Sequence, residues 1–514
     1  MPRLAIEPSE DAVRNALKSG RAAVLFTRLA GDLETPVSAF LKLADRPWSF
    51  LLESVEGGRV RGRYSIIGCD PDLVFRAQGE KAAVARPMAD GGSASPLDFQ
   101  LLKKPSLEAL RELVKRSRID LPTGLPPMAG ALVGYMGYDM VRQMERLGTA
   151  PRDPYGVPSA LFMRPRSMAI FDAVKDEIVL ISVLRPGDET SATNVEARIA
   201  GARRRIAEMA EALMRPLPES ARRFVPDGPS LTNETASTIT AHVGGERYGE
   251  MVDRAREHIL AGDIFQVVLA QRFSRPFAAP PFSFYRALRR LNPAPFLFFL
   301  RFGDFALAGS SPEILVRVQG GEVTVRPIAG TRPRGETPEE DERLAAELLA
   351  DPKECAEHLM LLDLGRNDVG RVAVPGSVRV AERFAIERYS HVMHIVSEVR
   401  GRLASGRADV LDALAAGFPA GTVSGAPKVR AMEIIDTLEP EGRGPYAGAV
   451  GYFAANGDMD SCIVLRTALI KDGRMHVHAG AGIVADSDPA REQAECENKA
   501  RALLKAAELA EGGG

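Results

Sequence analysis

The chain has 514 residues, of which 45% are hydrophobic and 26% are charged, the balance of an ordinary globular protein. Lys and Arg total 66 against 68 for Asp and Glu, so the net charge of -2 gives no basic footprint for nucleic acid. No apolar run is long enough for a bilayer span, no secretory signal opens the chain, and four scattered cysteines predict neither disulfides nor zinc. We therefore expect a cytoplasmic protein without a membrane or nucleic-acid partner.

The elements predicted in chain order divide the chain into two regions and a linker. Residues 1–215 form an N-terminal region, which contains a short polar loop at Asp90 to Ser95 and ends in a helix at about Asn194 to Met214. Residues 216–245 hold Pro, Ser, Thr and Gly with little periodicity and are the predicted linker. Residues 246–514 form the second region, which begins with a helix over Arg247 to Leu260.

The second region carries strand signals typical of antiparallel hairpins. Glu313 to Val318 and Glu322 to Ile328 alternate around a Gln-Gly-Gly turn. Between Ala447 and Val484, three strand-like runs are joined at Asn456-Gly457 and Asp472-Gly473, which are dipeptides favoured in tight turns. Consecutive hairpins predict a meander, so the expected fold class is α+β, with antiparallel sheets packed together and helices on the outside.

Two predicted helices, each following an Asp-Pro start, carry carboxylates on one face. Glu354 and Glu357 are three residues apart, as are Glu492 and Glu495, and this spacing places each pair on one helical face. If the helices face each other, one carboxylate from each could hold Mg²⁺, which takes few carboxylates and keeps several waters. Solvated helix faces are the alternative interpretation.

Other candidate residues also have a structural interpretation beside the functional one. Arg466 lies in the predicted strand Cys462 to Leu469, and Lys499 follows Glu495 by four residues, so the two cations could bind a dianionic substrate. An exposed strand face and an intrahelical ion pair are the alternatives. His394 can exchange a proton near neutral pH, although such a histidine is more often structural.

Together these segments resemble the chorismate-utilising enzymes and, within them, the family of anthranilate synthase large components. The matching segments follow the family order from the N-terminal region almost to the C-terminus. They are Leu51 to Gly68, Gly262 to Gln271, Pro327 to Gly335, Asp351 to Asp368, Ser390 to Gly401, Phe418 to Ile435, Pro445 to Phe453, Ser461 to Thr467, Ala479 to Pro489 and Glu497 to Ala500.

The resemblance implies the chorismate-binding fold and a lyase reaction. Chorismate would be aminated at ring carbon 2, lose its 4-hydroxyl and then lose pyruvate to give anthranilate, the first committed step of L-tryptophan biosynthesis. Mg²⁺ would be held by Glu357 and Glu495. The other implied positions are Glu313 as general acid, His394 for pyruvate elimination, Thr422 as a further catalytic position, and Gly330, Thr331, Tyr446, Arg466, Gly480, Ala481, Gly482 and Lys499 as substrate contacts.

Two positions distinguish the chain from relatives with other reactions. The para-aminobenzoate branch has a nucleophilic lysine where this chain has Ala329, and water-adding relatives have a lysine base where this chain has Gln266. An amide cannot accept a proton at neutral pH. The resemblance thus favours anthranilate formation. The large component of aminodeoxychorismate synthase and a non-catalytic tryptophan-binding regulator are the alternatives.

The resemblance also implies a feedback effector and a partner. Ser54, Pro295, Phe296 and Leu297 match the contacts of a tryptophan site, with Phe and Leu where Tyr and Met are usual. None of the four cysteines lies in a recognisable nucleophile turn, so we expect a separate glutamine amidotransferase subunit to supply ammonia. The implied assembly is a heterotetramer of two large and two small subunits.

Overall fold

The computed structural model describes residues 4–56, 60–87, 97–186, 194–217, 239–389 and 392–512. The loop predicted at Asp90 to Ser95 lies outside these residues, as do residues 218–238 of the predicted linker. Among the helices within these ranges, none combines the length and apolar character needed to cross a membrane.

Three of the helices begin at a residue whose side chain caps the first turn. Asn194, Thr337 and Asp351 each accept a hydrogen bond from a backbone N–H of the first turn that follows, and the predicted helices at Asn194 to Met214 and Arg247 to Leu260 are confirmed. The α-helices of the described residues are α1 (Glu10–Lys18), α2 (Pro36–Leu43), α3 (Ser106–Arg116), α4 (Val195–Met214), α5 (Gly245–Leu260), α6 (Pro281–Leu291), α7 (Pro338–Ala350), α8 (Pro352–Gly370), α9 (Val410–Gly417), α10 (Lys428–Leu438) and α11 (Pro489–Gly512).

The strands fall in both predicted regions. The first are β1 (Ala23–Ala30), β2 (Ser49–Glu56), β3 (Val60–Gln78), β4 (Lys81–Ala85), β5 (Gln100–Leu101), β6 (Leu132–Met136), β7 (Ala160–Asp172), β8 (Glu177–Leu184), β9 (Thr240–Ala241), β10 (Gln266–Pro276) and β11 (Phe296–Arg301). They continue with β12 (Phe305–Ser311), β13 (Ile314–Gln319), β14 (Glu322–Val325), β15 (Ile328–Pro333), β16 (Arg379–Arg388), β17 (Val392–Arg402), β18 (Gly425–Ala426), β19 (Ala449–Phe453), β20 (Met459–Ile463), β21 (Thr467–Lys471) and β22 (Arg474–Ile483).

The described strands pair antiparallel in two runs that meet at β7. The first run is β1-β8-β7-β3-β2-β11-β12-β21-β22-β10. The second leaves β7 through β6, β19, β20 and β13 to β14, β17, β15 and β16. Because β2 pairs with β11 and β6 pairs with β19, strands from before and after the predicted linker share the same sheets.

The two runs pack against each other, and helices cover their outer faces. Phe298 and Leu307 of the first run share a buried core with Val450 and Cys462 of the second. Helices α4, α5, α6, α10 and α11 pack on the other face of the first run. Helix α9 packs on β13 of the second run, and helix α3 packs on β3 and β4. The predicted α+β class, with helices outside packed antiparallel sheets, is confirmed.

The chain crosses between the two runs at two places. Strand β12 belongs to the first run and β13 to the second, with Pro312 and Glu313 between them. Strand β20 belongs to the second run and β21 to the first, with residues 464–466 between them. The two crossovers bring Glu313 and Arg466 to the same end of the sandwich.

The second crossover corrects one sequence prediction. Cys462 to Leu469 is not a continuous strand, because Arg466 has φ 46°, a left-handed conformation that interrupts an extended chain. The predicted hairpins at Asn456-Gly457 and Asp472-Gly473 are both present, but β20 and β21 pair with different neighbours. The predicted meander is therefore wrong at this point.

Candidate active site

A cavity of about 260 Å³ lies where the two crossovers meet helices α8 and α11. Its other walls come from β10, β15, β17, β22 and the 3₁₀ helix Gly421–Val423. The residues predicted from the sequence that line it are Gln266, Glu313, Ala329, Thr331, Glu357, His394, Thr422, Tyr446, Arg466, Gly480, Gly482, Glu495 and Lys499. Gly330 and Ala481 are in the same strands as lining residues but are not among those that line the cavity.

The acidic end of the cavity is built by α8 and α11. Glu357 of α8 and Glu495 of α11 both line it, although they are far apart in sequence. The amide Nε2 of Gln266 donates to Oε1 of Glu357 at 2.9 Å, and Lys499 forms an ion pair with Oε1 of Glu495 at 2.7 Å. The two helices that the sequence predicted to carry carboxylates therefore face one cavity.

Two further carboxylates, Glu354 and Glu492, interact with the carboxylates of this end. Burial raises the pKa of Glu354 and of Glu492, and the adjacent carboxylates Glu357 and Glu495 raise these pKa values further. Arg332 offsets part of this charge through a 3.3 Å contact with Glu354. Among the described residues, three or more His, Cys, Asp or Glu side chains do not converge as a metal site.

Glu313 is a buried acid at the first crossover. It is 6% exposed, and burial raises its pKa to about 8 although hydrogen bonds to its carboxylate oppose this. The hydroxyl of Thr422 lies 3.1 Å from each carboxylate oxygen, and the backbone N–H of Ile328 also donates to the group. The side chain thus holds a proton near neutral pH inside the cavity.

His394 is oriented by the loop that contains Gly330 and Thr331. Its Nδ1 lies 2.8 Å from the carbonyl oxygen of Gly330, which can only accept, so Nδ1 carries the proton and Nε2 has the free lone pair. The Thr331 hydroxyl is 3.1 Å from the same nitrogen. Burial lowers the pKa of His394, so the ring is neutral near pH 7.

Arg466 and Lys499 add positive charge to the lining of the cavity. Burial lowers the pKa of Arg466, whose guanidinium has a 3.4 Å contact with the Oδ1 of Asn292. Lys499 donates to the carbonyl oxygen of Gly480 at 2.9 Å as well as pairing with Glu495. Neither cation is neutralised by a buried carboxylate in these contacts, so both can bind an anionic substrate.

The strand register shows which glycine N–H groups are available. Val268 and Ala270 of β10 donate their N–H groups to Ser424 and Glu439, away from β22. Their partners in the register, Gly482 and Gly480, are therefore in non-hydrogen-bonded pairs and keep their N–H groups out of the ladder.

Ala481 is in a different position from the glycines on either side. It is fully buried in the core and opposes Leu269 in the ladder, so its backbone groups face β10. Of the predicted segment, Gly480 and Gly482 have the orientation needed for anion binding, and Ala481 does not.

Steric contacts explain why both cavity positions of this strand are glycine. A Cβ at position 480 would lie 2.9 Å from the hydroxyl oxygen of Tyr446, and one at position 482 would lie 2.7 Å from the amide nitrogen of Gln266. Real side chains do not approach this closely. Glycine at both positions thus lets Tyr446 and Gln266 reach the cavity.

Among the residues of the cavity wall that sequence reasoning missed, His478 is the one with a titratable side chain. His478 lies two residues before Gly480 on β22 and lines the same cavity, with its ring stacked on Tyr446 at 5.3 Å between centroids. Alternation along the strand was a usable signal, since residues two apart share a face. Tyr155, whose hydroxyl forms a hydrogen bond with His478, is distant in sequence and carries no comparable signal.

A larger cavity of about 750 Å³ adjoins the first. The two share Pro312, Thr331, His394, Arg466, Glu495 and Lys499 in their linings. The larger cavity therefore opens into the smaller one beside Arg466 and Lys499, which line both.

A third cavity, of about 460 Å³, contains all four predicted effector residues. Strands β2 and β11 place Phe296 opposite Ser54, and Leu297 and Pro295 lie on either side. Asp460 also lines this cavity: its Oδ2 pairs with Arg317 at 2.8 Å, while its buried Oδ1 has no hydrogen-bond partner among the described residues.

Comparisons with known proteins identify the family of the chain. The family model for chorismate binding enzymes matches residues 49–505. Anthranilate synthase component 1 of Cereibacter sphaeroides is 52% identical over 501 residues, which cover 97% of each chain. The chain belongs to the family of anthranilate synthase component I, within the chorismate-binding enzymes.

Solved structures of this family give the same result. The crystal structure of anthranilate synthase component I from Streptococcus pneumoniae matches with a TM-score of 0.72 and 36% identity, covering 93% of this chain and 98% of the other. The menaquinone-specific isochorismate synthase of Escherichia coli is 20% identical, with a TM-score of 0.68, over 96% of this chain and all of its own, and shows a shared fold alone. The family expected from the sequence motifs is confirmed.

Proposed function

We propose that the chain converts chorismate and ammonia to anthranilate and pyruvate. The observation that carries this proposal is the single cavity lined by a protonated acid, a neutral histidine, two cations and a pair of carboxylates. These are the groups that the reaction requires, and the names of the family's other members support the same substrate and product.

In the first step, ammonia adds to ring carbon 2 while the 4-hydroxyl leaves carbon 4 and the ring double bonds shift. The hydroxyl is a poor leaving group unless it departs as water. Glu313 can supply the proton because its pKa of about 8 keeps it protonated at neutral pH. The carboxylate that remains is stabilised by the hydroxyl of Thr422 at 3.1 Å from each oxygen.

In the second step, ring carbon 2 loses its hydrogen as a proton, and the C–H electron pair forms the double bond to carbon 3 that makes the ring aromatic. The bond from carbon 3 to the enolpyruvyl oxygen breaks with its electron pair on oxygen, so the enolate of pyruvate leaves and is protonated to pyruvate. The free Nε2 of His394 is the base for the proton of carbon 2, because Nδ1 is engaged by the Gly330 carbonyl. Burial, which lowers the pKa of His394, keeps the base unprotonated.

Binding of the dianionic substrate is assigned to the cations and to free backbone donors. Arg466 can form a bidentate pair with one carboxylate, and Lys499 adds a second positive charge. The N–H groups of Gly480 and Gly482 face away from the ladder and can donate to a carboxylate without side-chain reorganisation.

The acidic end fits Mg²⁺, held by Glu357 and Glu495. Their contacts with Gln266 and Lys499 use Oε1, which leaves Oε2 of each carboxylate without a hydrogen bond among the described residues. Mg²⁺ takes one or two carboxylates and completes its shell with waters and substrate oxygens. When bound, the ion would supply Lewis-acid and electrostatic stabilisation to a substrate carboxylate.

Ala329 and Gln266 support amination by free ammonia over the two related reactions. Ala329 lines the cavity at the position where a lysine nucleophile would be required for the para-aminobenzoate route. Gln266 donates its amide to Glu357, so it neither accepts a proton nor activates water.

Feedback inhibition by tryptophan is proposed at the third cavity, whose lining includes residues of β2 and β11. Its apolar wall of Pro295, Phe296 and Leu297 suits an indole ring, and the unpartnered Oδ1 of Asp460 suits an ammonium group. Asn292 precedes this wall by three residues and contacts Arg466 of the first cavity at 3.4 Å. A ligand that shifts the wall can therefore change substrate binding.

Ammonia is proposed to come from a separate glutamine amidotransferase subunit, in an assembly of two large and two small subunits in the cytoplasm. Three of the four cysteines are buried, and burial raises the pKa of each of these thiols above its ordinary value. Such thiols are poor nucleophiles for glutamine hydrolysis.

Product analysis tests the proposed reaction. The purified chain is incubated with chorismate, Mg²⁺ and an ammonium salt at alkaline pH, and fluorescent anthranilate and pyruvate are measured together. Equal amounts of both are expected. Isochorismate, or aminodeoxychorismate without pyruvate, would contradict the proposal, and absence of any turnover with chorismate bound would favour a regulator without catalysis.

A further inference from the structure

His478 forms the back of the substrate cavity beside Tyr446. The rings of the two residues are stacked, with 5.3 Å between centroids and an interplanar angle of 20°. The hydroxyl of Tyr446 lies above Gly480, where any larger residue would collide with it. The position of the Tyr446 hydroxyl thus depends on the ring of His478 behind it.

The imidazole of His478 is itself fixed by a residue from the N-terminal half of the chain. The hydroxyl of Tyr155 lies 2.7 Å from Nδ1 of His478. Burial raises the pKa of Tyr155, so the phenol keeps its proton, and burial with Arg443 and Arg272 nearby keeps the pKa of His478 well below its ordinary value. A neutral phenol and a neutral imidazole therefore meet in one hydrogen bond, whose direction is set by the tautomer of His478.

Tyr155 is held firmly enough to act as a support. Lys471 donates to the carbonyl oxygen of Tyr155 at 3.0 Å, and the backbone N–H of Tyr155 donates to Asp153 at 2.8 Å. Gly444, with φ 56°, leaves room for the ring, since a Cβ there would lie 2.7 Å from a ring carbon of Tyr155. These contacts hold Tyr155 in place independently of the imidazole.

We propose that Tyr155 and His478 are positioning residues for substrate binding: Tyr155 fixes the imidazole of His478, and this ring holds the Tyr446 hydroxyl at the cavity. The inference rests on the proposed binding of chorismate beside Tyr446. Neither residue needs to touch the reacting atoms. Their contribution is made equally in the ground state and the transition state, so it acts on KM and not on kcat.

Three substitutions separate the parts of this chain of contacts. Tyr155→Phe removes only the hydroxyl, and we expect the dissociation constant and the KM for chorismate to rise about five- to tenfold, as for one lost hydrogen bond, with kcat within about twofold. His478→Leu removes the hydrogen bond and the stacked ring, and we expect a rise of at least about tenfold. His478→Gln keeps a flat acceptor for the Tyr155 hydroxyl and should restore most of the binding.

His476 offers a matched control on the same strand. It also contacts the ring of Tyr155, at 5.3 Å between centroids, but it does not line the substrate cavity. His476→Leu should therefore leave chorismate binding unchanged. In addition, Tyr155→Phe combined with His478→Leu should bind no more weakly than His478→Leu alone, because the hydroxyl acts only through the imidazole.

Equilibrium dialysis without ammonia measures the dissociation constant of chorismate, so it tests the positioning role separately from the reaction. A wild-type chain that does not bind chorismate would contradict the proposed function. A wild-type chain that binds it, with Tyr155→Phe and His478→Leu binding equally well, would overturn the positioning role alone. The positioning role would also be overturned if the melting temperature of these variants fell while their affinity for chorismate stayed the same. An equal loss of affinity in His476→Leu would overturn it as well.

Discussion

Replacing Glu313 by Gln tests whether the buried carboxyl is protonated near neutral pH. Burial raises the pKa of Glu313 from 4.5 to about 8. In the unfolded chain the group ionises near 4.5, so between these two values the folded state keeps a proton that the unfolded state has lost. Stability from this group is therefore present at low pH and is lost as the pH rises toward 8.

The magnitude follows from the difference between the two pKa values. At about 1.36 kcal/mol for each tenfold change in proton affinity, the loss is on the order of 5 kcal/mol once both states are ionised. About 3 kcal/mol of this loss falls between pH of about 6 and pH of about 9. Glu313→Gln has no ionisable group at this position and should not show the loss.

Thermal melting across this pH range measures the difference. With about 2 °C for each kcal/mol in a large domain, the melting temperature of the wild type should fall by roughly 5 °C relative to Glu313→Gln. Thr422→Val removes the hydroxyl that donates to both carboxylate oxygens, so the pKa of Glu313 should rise further and the decline should extend to higher pH.

Glu80→Gln, an exposed substitution in the turn between β3 and β4, is the control and should follow the wild type. If the wild type and Glu313→Gln melt in parallel at every pH, the carboxyl has no raised pKa. Glu313 would then not supply the proton for departure of the 4-hydroxyl.

Other variants test the remaining roles. Glu357→Gln or Glu495→Gln removes a charged oxygen ligand, so the Mg²⁺ concentration for half-maximal rate should rise at least about tenfold; an unchanged Mg²⁺ titration would place the ion elsewhere. His394→Ala should slow pyruvate elimination more than amination, so the aminated intermediate should accumulate in a chromatographic time course; equal slowing of both steps would refute the assignment. Phe296→Ala should raise the tryptophan concentration for half-inhibition about tenfold by removing apolar contact, with the uninhibited rate unchanged; the same inhibition curve would place the effector elsewhere.

Features set by local chemistry could be predicted from the sequence. The Asp351 cap and the Asp472-Gly473 turn specify a helix start and a hairpin from their own residues, and both are present. The three-residue spacing of Glu354 and Glu357 likewise fixes their common helical face. That Glu495 lines the same cavity as this helix could be expected only from the family resemblance. Residue spacing within one helix does not indicate which other helix lies near it.

Features set by tertiary contacts could not be predicted. The left-handed Arg466 has no glycine or turn signal in its sequence, and it is explained only by the passage of the chain from one sheet run to the other. The raised pKa of Glu313 arises from burial by distant elements. The contact between Tyr155 and His478 joins residues 323 positions apart and could not be inferred from either local segment.

The proposed chemistry depends most on one divalent ion shared by Glu357 and Glu495. Diffraction from crystals grown with chorismate and with Mn²⁺ in place of Mg²⁺ tests this directly, because the anomalous signal of manganese locates the ion. A single peak bounded by both carboxylates, in contact with a substrate oxygen, is the predicted result. A peak away from either carboxylate, or none at saturating Mn²⁺, would contradict it.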